Sequence, residues 1–282
     1  ADLLDGALSL RMRVHGLGHP SLPAAAEVLT RTSNHAASLE LRQGGDLRRA
    51  ERRLQRALAL LAEVATVARQ ATLAPCFNLT LSNLAALHQR LGRRELALVC
   101  LREAEALCGW LASSDAAATH LSLCALLSQL GRHPEAERHA AEAVRLGEAD
   151  ILNLASLQDG SGMAAGAAVL REKASALAVA YNNLAVQREF LGQSGECLAL
   201  YEKAVVLAEG HMEHDNPLLA RLRESHRNAL QTASERRAAA AASSSAPPAL
   251  APVRQPSPLP PHLGRPLSAA VPRLGGKSGW GG

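Results

Sequence analysis

The sequence has almost no aromatic residues. Two Trp, two Tyr and two Phe make up 2% of its 282 residues, although 48% of the chain is hydrophobic. A core of this composition is built from Leu, Ala and Val. β-Sheet architectures, which draw on aromatic and β-branched side chains, are thereby disfavoured. Lysine is nearly missing too: Lys173, Lys203 and Lys277 are its only occurrences, and arginine carries the net charge of +4. That excess is too small to mark a nucleic-acid surface by itself. The five cysteines (76, 100, 108, 124 and 197) include no Cys-x-x-Cys pair, so buried free thiols are expected, not disulfides or a zinc knuckle. No apolar run approaches the ~20 residues of a membrane span, and no secretory signal opens the chain. Phosphate-binding Gly-x-x-x-x-Gly-Lys, nucleophile-elbow and Ser/His/Asp patterns are absent. Asp159-Gly160-Ser161-Gly162 is a lone glycine-rich loop with no strand before it. No enzyme, cofactor or metal site is expected.

What the chain does have is a repeated pair of short amphipathic helices. It is clearest at Ala180–Ala208, where Leu184 and Ala185 precede Gly192, and Cys197, Tyr201 and Ala204 follow it. The spacing of three and four puts each set on one helix face. The small residues let two antiparallel helices approach closely. Aligned on the turn glycine, the same offsets recur at Leu84, Ala85, Gly92, Ala97, Leu101 and Ala104. They recur again at Leu123, Cys124, Gly131, Ala136, Ala140 and Ala143, and more weakly at Ala37, Ser38, Gly45, Ala50, Leu54 and Ala57. One such hairpin cannot bury its apolar face alone, whereas a stack of about three or more can.

The glycine spacings are uneven, 47 from Gly45 to Gly92, 39 to Gly131 and 61 to Gly192. The extra length before Gly192 centres on the loop around Asp159, followed by either one long helix or two from Met163. The expected organisation is a helical array over residues 1–234. Its hairpins span about 1–20 (partial), 22–66, 74–111, 115–157 and 163–209, and a helix over 217–237 closes it. Residues 238–282, Ala/Ser-rich and holding nine of the 14 prolines, form an expected disordered tail. Because the first residues already read as a second helix, the chain is expected to be a piece of a longer protein.

These residues resemble the tetratricopeptide repeat (TPR) family. Ala7-Leu8-Ser9-Leu10-Arg11 with Gly16 and His19-Pro20, Asn182-Asn183-Leu184-Ala185, and Gly210 with Asp215-Asn216-Pro217 are similar to the kinesin light chain type of repeat. The resemblance implies an all-α fold, a right-handed α-solenoid. It also implies a concave face, lined by the first helix of each hairpin, that holds a peptide or a helical segment of a partner. The inward offsets, at Thr32, Leu39, Ala86, Leu121, Ala125, Ser128, Val179 and Val186 among others, include the polar candidates His35, Arg42, Ser82, Gln89, Arg90, Gln129, Asn182 and Glu189. Asn amides suit an extended backbone, and Arg42 and Arg90 suit carboxylates. The Lys/Asn carboxylate clamp of some relatives is absent.

Arg48, Arg49, Arg52, Arg53 and Arg56 form the densest charge cluster, with Glu51 the one acid among them. An acidic protein surface, RNA or anionic lipid would be its partner, but no aromatic is interleaved for base stacking, which disfavours nucleic acid. His15 with His19, and His211 with His214, have ligand-like spacing but fall in turns, where a metal site is not expected. Pro256-Ser257-Pro258-Leu259-Pro260-Pro261 has polyproline II composition. The function expected is a non-catalytic scaffold or adaptor for protein partners, cytoplasmic and within a cytoskeletal or ciliary assembly. The alternatives are a regulatory or targeting region of a larger enzyme or motor complex, or binding of RNA or an acidic surface through Arg48–Arg56.

Overall fold

A computed structural model describes residues 21–68, 73–111, 116–157, 163–193 and 195–244, together with Gly6, Leu10, Arg13, Val14, Gly16 and His19. The partial hairpin at residues 1–20 therefore lies largely outside the described residues. So do His15, the Asp159–Gly162 loop, Trp280, the polyproline stretch and the rest of the tail from residue 245, and nothing is described of the Trp110 side chain. The described residues of the array form helices joined by turns, with no strand among them. Four hairpins follow in order: α1 (Leu22–Gln43) with α2 (Leu47–Ala68), α3 (Ala74–Arg90) with α4 (Arg94–Leu111), α5 (Ala116–Gln129) with α6 (His133–Leu157), and α7 (Met163–Phe190) with α8 (Cys197–His211). A last helix, α9 (Pro217–Ser244), closes the series. It runs past Ala238, where the tail was expected to begin.

The four turns are built alike. Gly44, Gly92, Gly131 and Gly192 have φ between 71° and 75°. In each, the amide of the following residue donates to a carbonyl five residues back: Gly45 to Glu40 (2.9 Å), Arg93 to His88 (2.8 Å), Arg132 to Leu127 (2.9 Å) and Gln193 to Arg188 (2.8 Å). This is the Schellman closure, whose left-handed residue is glycine because any Cβ there is strained. In the first hairpin that residue is Gly44, not Gly45. Ala37 therefore stands where Ala85 stands in the second hairpin, and Ser38 is only half-buried. The additional residue falls between the turn and α2, whose start Asp46 caps by accepting the amides of Arg48 (2.9 Å) and Arg49 (3.1 Å) through Oδ1.

The small residues pack as their spacing implies. Ala50, Ala97, Ala136, Ala140, Ala185 and Ala208 are fully buried. One cluster joins three hairpins: Ala85, Ala97 and Leu101 from the second, Leu123, Leu126 and Ala140 from the third, and Leu184 from the fourth. Another joins the first two through Ala37, Leu54, Leu84 and Leu87. Neighbouring hairpins thus share their cores, as a stacked array requires. The long interval before Gly192 is taken up by helix length. α6 has 25 residues and α7, continuous from Met163, has 28. Gly147 in mid-α6 meets α7 so closely that a Cβ would lie 3.1 Å from Leu177 Cδ1. Lys173 Nζ ties the upper part of α7 to Asp150 on α6 at 2.8 Å. At α9, Asn216 Oδ1 accepts the Leu218 amide (2.9 Å) beside Pro217 at the first helical position, and Leu219 and Leu222 are buried against α7 and α8.

None of the five cysteines forms a disulfide, and all but the half-buried Cys100 are buried. Burial pushes the Cys124 thiol up to about 12, so it packs as a small apolar side chain and stays a thiol at neutral pH.

Candidate functional site

First helices of adjacent hairpins lie side by side, α1 against α3 and α5 against α7. Polar groups link them. Asn34 Nδ2 donates to Thr80 Oγ1 (2.9 Å), and Asn83 Nδ2 donates to Asn34 Oδ1 (2.8 Å). Thr119 Oγ1 donates to Asn78 Oδ1 at 3.2 Å. Gln187 Nε2 donates to Ser128 Oγ at 3.0 Å, while its Oε1 meets His133 Nδ1 at 2.9 Å. These bonds are buried or half-buried and run from one hairpin to the next, so they fix how first helices stand beside one another. The sequence reading missed them, because the partners are 46, 41 and 59 residues apart and no local motif joins them.

On this scaffold the candidate groove residues divide. His35, Arg42, Arg90 and Gln129 are exposed, and Ser82, Gln89 and Asn182 are half-buried. Among the described residues Arg42 and Arg90 form no ion pair, which leaves both guanidiniums available to a carboxylate. Ala86, one turn before Arg90, and Ala125, one turn before Gln129, are exposed as well. Asn182 Oδ1 is buried without a hydrogen-bond partner. Glu189 is turned back on its own hairpin: it accepts the Tyr201 hydroxyl at 2.9 Å and supports packing.

The arginine cluster is smaller than its sequence suggests. Arg53 is half-buried and bound to Glu40 at 2.9 Å. Glu51, from the same helix, accepts Arg93 of the second hairpin at 2.9 Å. Arg48 and Arg52 remain exposed without an ion pair among the described residues, and Arg49 and Arg56 are exposed but engaged.

Two further features have no counterpart in the sequence reading. An open groove of about 720 Å³ lies between α6, α7 and α8, lined by Ile151, Leu152, Leu177, Tyr181 and Val206 among others. Its rim carries the exposed apolar side chains Leu152 and Val206. Separately, Glu105 of α4, His120 of α5 and His139 of α6 bring one ligand atom each within 4.8 Å of one another. Burial lowers the proton affinity of both rings, against the opposing pull of Glu105. The His211/His214 pair forms no such cluster among the described residues.

No family model matches this sequence, and no curated protein is significantly similar to it. Solved structures are. BtubC (BKLC) from P. vanneervenii superposes with a TM-score of 0.51 over 92% of this chain and 97% of its own, at 19% sequence identity. The fold is a TPR-like α-solenoid. A Podosopora anserina protein of nearly identical TPR-like repeats, assigned as a kinesin light chain, has a TM-score of 0.44 over 74% of this chain and 89% of its own, also at 19% identity. Both neighbours are TPR-like repeat proteins. In this TPR-like array no helix among the described residues is long and apolar enough to cross a membrane.

Proposed function

We propose that the chain is a non-catalytic scaffold whose first helices, α1, α3, α5 and α7, form a concave face that binds a peptide or helical segment of a protein partner. The observation that carries this reading is that Arg42 and Arg90 are both exposed, without an acidic partner among the described residues, on first helices held in register by the Asn34–Thr80–Asn83 hydrogen bonds. Guanidiniums carried on helices fixed in this way suit an extended or helical ligand with acidic groups, since bidentate Arg–carboxylate bonds supply direction as well as energy. His35, Ser82, Gln89, Gln129 and Asn182 add neutral donors and acceptors along the same helices.

Membership in a larger cytoplasmic or cytoskeletal assembly belongs to the same proposal. The arginine face is the weaker surface, because Arg53 and Glu51 are consumed in internal ion pairs.

The test is affinity capture from cell extract with the full chain and with a variant carrying Arg42→Ala, Arg90→Ala and Asn182→Ala. A partner held by the parent and lost by the variant supports the first-helix face. A partner retained by the variant, and lost instead with Arg48→Ala and Arg52→Ala, overturns it.

A further inference from the structure

Three side chains from three successive helices converge at the seam between the second and third hairpins. His120 Nδ1 and His139 Nδ1 are 2.9 Å apart. Glu105 Oε1 lies 3.7 Å from the first and 3.5 Å from the second. All three side chains are mostly buried yet reachable, 16%, 11% and 28% exposed for His120, His139 and Glu105. We propose that Glu105, His120 and His139 form a binding site for a divalent transition-metal ion, Zn²⁺ foremost, that pins the second hairpin to the third.

A triangle with edges of 2.9, 3.5 and 3.7 Å has a point equidistant from its corners at about 2 Å, which is the Zn–N and Zn–O bond length. The three atoms thus already outline one face of a coordination tetrahedron. Two imidazole nitrogens and a carboxylate oxygen are a donor set that suits zinc, with the fourth position left to water because the site opens to solvent. The carboxylate is also oriented from behind: Arg102 Nη1 donates to Glu105 Oε2 at 3.0 Å, and Nη2 donates to Glu135 Oε2 at 3.2 Å. Such outer contacts hold a ligand group in place.

Without metal, the short contact between the rings holds a proton. Arg102 Nη1 faces His139 Nε2 at 3.2 Å, which keeps that nitrogen unprotonated. The proton of His139 therefore sits on Nδ1 and is shared with His120 Nδ1. Metal binding takes both Nδ1 lone pairs. The His139 proton moves to Nε2, Arg102 releases that nitrogen and remains on the two carboxylates, and no net proton is lost.

The experiment uses the full chain, reduced and stripped with a chelator, titrated with Zn²⁺ or Co²⁺ alone. The expected result is one ion per chain, a rise in melting temperature reversed by chelator, and a tetrahedral Co²⁺ spectrum without a thiolate charge-transfer band. His120→Gln and Glu105→Gln, each checked for retained helicity, are expected to weaken binding by at least about tenfold, whereas His214→Gln leaves it unchanged. Three results would overturn the site: no saturable binding, unchanged affinity in both variants, or a thiolate band that places the ion on cysteine.

Discussion

Gln187 of α7 donates to Ser128 of α5 at 3.0 Å, and the same amide meets His133 through its oxygen at 2.9 Å. A buried side chain of the fourth hairpin is thus satisfied by the third. Removing one partner of such a contact leaves the other desolvated and unpaired. Gln187→Ala is expected to cost about 1–3 kcal/mol in urea unfolding, and Ser128→Ala less. The double mutant should cost less than the sum of the two. Strict additivity would show that the bond does not couple the hairpins.

The turn glycines give a second prediction. Gly192 has φ of +75°, a conformation that costs an L-residue roughly 1–2 kcal/mol. Gly192→Ala is therefore expected to destabilise by about that amount, while Gly195→Ala, with open space at its Cβ and no positive φ, stays near neutral. Equal effects at the two positions would contradict the shared turn geometry.

Overpacking gives a third. Ala204 is 1% exposed between α7 and α8, and Ala204→Leu should cost about 1–3 kcal/mol. Ala220→Leu, at an exposed position of α9, is the control expected to change little. Thermal and urea unfolding read both.

The fourth prediction concerns pH. His88 is buried, and burial lowers its proton affinity despite Glu51 nearby, with Arg93 lowering it further. Its Nδ1 sits 4.0 Å from Glu51 Oε1, which is itself bound to Arg93. Below the ordinary histidine value of about 6.5 the unfolded chain binds a proton that the folded chain resists. The contribution is thus fully present above that value and falls away as pH drops through it. His88→Gln is expected to flatten the loss of stability between about pH 7 and 5. An unchanged pH profile in this variant would contradict the assignment.

Much of the fold was legible because its determinants are local. Ala97, Leu101 and Ala104 advertise a buried helix face by spacing alone, and Gly92, Gly131 and Gly192 mark turns whose left-handed residue must be glycine. Where two glycines adjoin, as at Gly44-Gly45, composition does not say which takes the left-handed position, and the reading slipped by one residue. The site was less legible for a related reason. Asn34 reads as an ordinary helical polar residue until Thr80 and Asn83 are brought beside it. Glu105, His120 and His139 lie on three helices at none of the spacings that mark a ligand pair on one helix. Glu189 was read as a groove residue because its partner, Tyr201, stands across the turn on the next helix.

The most direct test of the central proposal places a photoreactive residue at Gln129 on α5 or, separately, at Gln55 on α2, both exposed. Each variant is irradiated in extract and compared for crosslinked protein. A partner is expected to be captured from Gln129 and competed away by the unlabelled parent chain, but not by the Arg42→Ala, Arg90→Ala, Asn182→Ala variant. Capture from Gln55 alone would contradict that proposal.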